Sequence, residues 1–74
     1  MRLRLGVFAT ARGWVVGDAK QQQTFDDRSE AMNAARRQAQ VARWRGDEAE
    51  IVAQDLPGGP LAVVDPPRRP SWRD

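Results

Sequence analysis

Between Ala35 and Gly46 the chain reads ARRQAQVARWRG, which sets Arg36, Arg37, Arg43 and Arg45 around Trp44. A guanidinium offers a planar fork of donors that matches phosphate or carboxylate oxygens, and an indole serves as an interface anchor or as a platform on which a base can stack. Acids three or four residues away along a helix would neutralise such cations. Arg43 has Asp47 at that distance, whereas Arg36 and Arg37 have none. Arg36, Arg37, Arg43 and Trp44 are therefore the candidate interaction surface. A purely structural role competes with this one. Acids at the helix start (Asp26, Asp27, Glu30) and bases towards its end complement the helix dipole, at roughly 0.3–1 kcal/mol each.

Other chemistry is thinly supplied. The chain has no histidine, cysteine or tyrosine, so acid–base or nucleophilic work would fall to carboxylates, Ser29, Ser71, two threonines and one lysine. The paired carboxylates Asp26 and Asp27 stand where a helix cap is needed. Asp47, Glu48 and Glu50 lack the further oxygen ligands of a calcium loop, and LPGGP is not followed by the Gly-Lys-Ser/Thr of a phosphate loop. The expectation is a non-enzymatic protein with no cofactor, no metal and no evident small-molecule ligand.

The elements that must carry these residues follow from period and punctuation. RLRLGV alternates arginine with apolar residues, so Leu3, Leu5 and Val7 share one face of a half-buried strand. GWVVG (13–17) reads as a second strand after a hairpin-length connection, and QQQTF (21–25) as either a short third strand or an extended approach to the helix. Asp27 followed three residues later by Glu30 resembles a capping box, with Asp27 accepting the Glu30 amide. On the helix, Ala31, Ala35, Gln38 and Ala42 fall in one arc flanked by Met32, Ala34 and Ala39, a face of small side chains suited to a sheet that offers Leu3, Leu5 and Trp14. Trp44 lies opposite that face, near Arg37 and Gln40, unless the helix ends early and lets it fold back over the core. Gly46 is a natural residue to end the helix, and EIVAQD (50–55) and LAVV (61–64) form two strands around Pro57-Gly58-Gly59-Pro60. The fold class is α+β: a small antiparallel sheet, β-β-(β)-α-β-β, with one Ala-faced helix packed on one side. Residues 1–64 form the single domain and 65–74 a disordered Pro/Arg-rich tail, whose PPRRP favours polyproline II.

A chain of 74 residues holds one small core, and cores of this size rarely supply more than about 3–5 kcal/mol. Residues 1–45 carry nine bases against four acids, and residues 46–65 carry five acids and no base. A basic body and an acidic hairpin are complementary, which points to self-association involving Glu50 and Asp55. The N-terminal apolar run is interrupted by arginines and shorter than the roughly 18 residues of a spanning helix, so the expected setting is cytoplasmic, with no membrane.

GWVV, then TFDDRSEAMNAARRQA, then AEIVAQD with a glycine before the last strand, resembles the bacterial family catalogued as domain of unknown function 2188, over roughly Val7 to Val64. Gly13, Trp14, Val16, Phe25, Glu30, Ala31, Ala35 and Gly59 fall on that pattern, while RWRGDE lengthens the connection after the helix. The resemblance implies a fold and no activity. In architecture alone, strands followed by TFDDRSEAMNAARR are also similar to the small DNA-binding modules of phage-type integrases and plant AP-two factors. The functional expectation is a small bacterial protein acting as a protein-binding or self-associating domain, as a homodimer or with another protein. The alternative is a nucleic-acid-binding module using the arginine-rich helix face.

Overall fold

In the computed structural model, residues 2–18 and 20–68 are described, and the proposed tail beyond Arg68 lies outside them. Strand β1 (Arg2–Thr10) turns through Ala11 and Arg12 into β2 (Gly13–Gly17). The Thr10 hydroxyl holds this turn, donating to the Gly13 carbonyl at 2.9 Å and accepting from the Arg12 amide at 3.2 Å. The segment that sequence left between strand and extended approach is strand β3 (Gln22–Phe25), antiparallel to β2. Before it, the Asp18 carboxylate accepts the amides of Lys20 and Gln21 at 2.8 and 2.9 Å. Those amides, Gln21 first and Lys20 next, hold the carboxyl below its ordinary range.

Helix α1 (Arg28–Trp44) is capped by Asp27, whose carboxylate takes the Ser29 amide at 3.2 Å, one residue short of the Glu30 amide expected from a capping box. At the other end Gly46 adopts φ 98°, a conformation that favours glycine. Its amide donates to Arg43 O and the Asp47 amide to Ala42 O, both at 3.0 Å, the two bonds of a Schellman motif. The chain then runs through β4 (Glu48–Gln54) and a turn at Pro57–Gly58, closed by Gly59 N donating to Leu56 O, into β5 (Ala62–Arg68).

The sheet order is β3-β2-β1-β4-β5. It is mixed, and the expectation of a wholly antiparallel sheet is corrected at one junction: β4 pairs with β1 in parallel, Leu5 opposite Ile51 and Val7 opposite Ala53. The cause is α1 itself. Seventeen helical residues span about 25 Å and return the chain across one face, so β4 starts where β3 started and runs in the direction of β3 and β1. A second difference concerns the proposed tail. Residues 65–68 continue β5, with Arg68 paired to Ala49. Pro66 and Pro67 are tolerated there because they fall in the register shift between the Asp65–Ile51 and Arg68–Ala49 pairs of an edge strand, where the ladder is already interrupted.

The core lies between α1 and the odd-numbered face of β1 and β4. Leu5, Val7, Val16 and Ile51 are the large buried side chains, met by Ala31, Met32, Ala35, Ala39 and Ala42, with Leu3, Trp14 and Phe25 at its margin. Gln38 is the exception on the alanine arc. It is only half-buried, its amide 3.4 Å from Gln23 Oε1 on β3, so it marks the rim of the core. Arg28 leans over the Trp14 ring at 5.9 Å and pairs with Asp55 at 3.0 Å.

Candidate functional site

Two surfaces could engage a partner: the outward side of α1 and the sheet face that α1 leaves uncovered. On α1 the alanine face fixes the rotation of the helix, and everything opposite it is held in solvent. Trp44, the last helical residue, is 79 % exposed and Val41 50 % exposed. Together with Arg37, Gln40 and Arg45 they line a shallow hollow of about 550 Å³. The helix does not end early enough for Trp44 to fold over the core, because the Schellman motif follows it. The spacing 37, 40, 41, 44 places these side chains on one side of two successive turns.

Of the four residues singled out from sequence, the structure brings Arg37 and Trp44 together. Arg36 is exposed but leaves the helix about 100° round from Arg37, on a flank outside the hollow. Arg43 turns inward. Its Nη2 donates to Ala49 O at 2.8 Å and to Asp65 Oδ2 at 3.2 Å, fastening α1 to β4 and β5, and its Nε is buried without a hydrogen-bond partner. Its side chain is 20 % exposed, so it is a structural tie and presents little to a partner. Val41 was missed, and Gln40 and Arg45, noted beside Trp44, were not counted in the candidate surface. The signal that could have found Val41 is a lone branched apolar residue three positions before Trp44, on the polar side of the helix.

The supposed complementarity between basic body and acidic hairpin is largely met inside the chain. Glu50 is 4 % exposed on the open sheet face and accepts from Arg4 Nε at 2.7 Å, with Arg2 at 4.0 Å. Asp55 holds Arg28 and Asp65 holds Arg43. By contrast, the side chains of Arg36, Arg37 and Arg45 have no hydrogen-bond or ion-pair partner among the described residues.

The open sheet face carries a second hollow of about 260 Å³, lined by Arg4, Gly6, Phe8, Gly17, Asp18, Gln22, Val52 and Leu61. Its charged groups are already committed: Asp18 to two backbone amides and Arg4 to Glu50. No two carboxylates there are poised as acid and base. Among the described residues no cluster of three or more acids could hold a metal ion, and no helix is long and apolar enough to cross a membrane.

No family model, curated protein or solved structure matches the chain, so the likeness to the 2188 family rests on the residues that carry it.

Proposed function

We propose that this chain is a small protein-binding domain with no catalytic role of its own, acting in the cytoplasm through the outward side of α1. The observation that carries the reading is Trp44, left 79 % exposed at a helix end beside Arg37 and Arg45, neither of which has an ion-pair partner among the described residues. Tryptophan and arginine are, with tyrosine, the side chains enriched where interface energy concentrates, since each covers a large area and the pair combines apolar contact with charge. The likeness to the 2188 family is part of the same proposal and bears on fold alone.

A nucleic-acid module would draw on the same helix. Two features weigh for protein instead: Arg43 is spent on Asp65, and Val41 adds apolar surface where a phosphate track would want charge. The test is a photo-crosslinking residue in place of Gln40, in intact cells, with the same residue at exposed Thr24 as the control. A protein adduct at position 40, absent at 24 and lost on adding Trp44→Ala, is the expected result, and no protein adduct at position 40 refutes the reading. In parallel, duplex DNA and RNA should leave tryptophan fluorescence unchanged at about 50 mM salt. Quenching that weakens by roughly 0.9 log units per log unit of salt for each phosphate contact would favour the nucleic-acid module.

A further inference from the structure

We infer that the occupant of this surface is a second copy of the chain, lying antiparallel along α1; the inference rests on reading the outward side of α1 as the interface. Glu30, Asn33, Arg37, Gln40 and Trp44 succeed one another at spacings of three, four, three and four, and all five are exposed. Those spacings keep the five along one side of α1, a mostly polar seam about 21 Å long against which a second helix can lie. The seam is polarised. Glu30, with Asp26 just ahead of the helix, makes one end acidic; Arg37 and Arg45 make the other basic, and none of the four has an ion-pair partner among the described residues.

A parallel copy would set Glu30 beside Glu30 and align the two dipoles unfavourably. An antiparallel copy reverses both. With the two-fold axis crossing the outward side at the level of Ala35, Asn33 faces Arg37 of the second copy and Glu30 faces its Gln40, one turn from its Arg37. Trp44 then covers the acidic end of the second copy at Asp26, where the partner helix begins. The same patch on both copies makes the contact self-complementary and closed, which a two-fold dimer requires. Val41 and Trp44 are the apolar anchors, too few for an obligate interface, so the dimer is weak and salt-sensitive.

Sedimentation equilibrium of the full chain, from about 10 µM to 1 mM at low salt where exposed charges are least screened, should show mass rising from 8.3 kDa towards twice that value. Arg37→Glu and Glu30→Arg each leave positions 30 and 37 with the same sign of charge, so each alone should stay monomeric, and an equimolar mixture should recover the heavier species. Glu30→Arg also weakens the first turn; Asn33→Arg sets a cation against Arg37 of the second copy without touching that turn, and melting curves verify that each variant folds. A mass fixed at 8.3 kDa throughout overturns the inference, as does a dimer indifferent to Arg37→Glu. Monomers that still crosslink to a different protein at position 40 overturn the dimer and leave the binding domain standing, whereas monomers with no adduct at all overturn both.

Discussion

The two described tryptophans separate surface from core, and their alanine variants should behave in opposite ways. Trp44 has about a fifth of its surface covered. A tryptophan brings on the order of 250 Å², so folding removes roughly 50 Å² of it from water, worth about 1 kcal/mol at 25 cal/mol per Å². Alanine returns about half of that through its better helix propensity. Trp44→Ala should therefore cost about 0.5 kcal/mol, moving the melting midpoint by only a few degrees in a domain this size. Trp14 packs against Phe25 and the alanine face, and loses its contact with Arg28 as well. Truncating a core tryptophan costs about 3–5 kcal/mol, and Trp14, half-buried at the margin, should cost about 2–3, a large part of the stability expected of the domain. Trp14→Ala should lower the urea midpoint by about half or more. The assay is urea and thermal unfolding followed by circular dichroism on dilute protein, where dimerisation adds little stability by mass action. A loss of 3 kcal/mol or more in Trp44→Ala would mean that Trp44 covers core, and the reasoning that makes it an anchor would fail with it.

Three further outcomes follow from the fold. A Cβ at Gly17 would stand 2.1 Å from Gln21 O and 2.8 Å from Gln22 Cα, both backbone atoms, so Gly17→Ala should cost about 1–3 kcal/mol of overpacking; a change under 0.5 kcal/mol in a urea titration would contradict the packing of β2 on the Asp18 turn. Arg4→Ala strips the buried Glu50 carboxylate of its 2.7 Å partner and leaves only the longer contact to Arg2, a loss of about 2 kcal/mol, most of which Arg4→Ala with Glu50→Val should recover; a double variant no better than the single one sinks this account. Asp18 has its folded pKa depressed, so its contribution is fully present above the unfolded aspartate value of about 3.9 and is lost as pH falls through the folded value; Asp18→Asn should flatten acid unfolding in that window, and identical acid limbs would count against it.

Much of this fold is written in local signals, and the misses have physical causes. Leu3, Leu5 and Val7 alternate as a strand must, and Gly46 stops α1 through a conformation that few other residues adopt. The parallel junction of β1 with β4 leaves no such mark, because a half-buried strand alternates in the same way whichever direction its neighbour runs. Direction had to come from the crossover made by α1. Pro66 and Pro67 read as coil when judged alone, yet they sit at an irregularity of an edge strand, where the ladder is already interrupted. Gln38 shares the alanine arc, but what lies beneath it is the short edge strand β3 with Gln23, so amide meets amide there and no apolar side chain is buried.

The charges of the candidate site were the least legible part, because a local rule sees only neighbours three or four residues away. Arg43 found its acid 22 residues on, at Asp65, and Glu50 met Arg4 from 46 residues off. Pairing at that range is a property of the sheet order and cannot be counted along a helix. It also changes what a charge reversal should do. Were the acidic hairpin the glue between copies, Glu50→Arg or Asp55→Arg would weaken association and spare the monomer. With both acids already holding Arg4 and Arg28 of their own chain, Glu50→Arg should lower the urea midpoint of dilute protein sharply, since it buries a cation against Arg4. Asp55→Arg, at an exposed pair, should shift it by about 0.5 kcal/mol. Folded Asp55→Arg should still self-associate as the parent does, while Arg37→Glu does not. The reverse result, association lost through Asp55 and kept through Arg37, would move the interface from α1 to the hairpin.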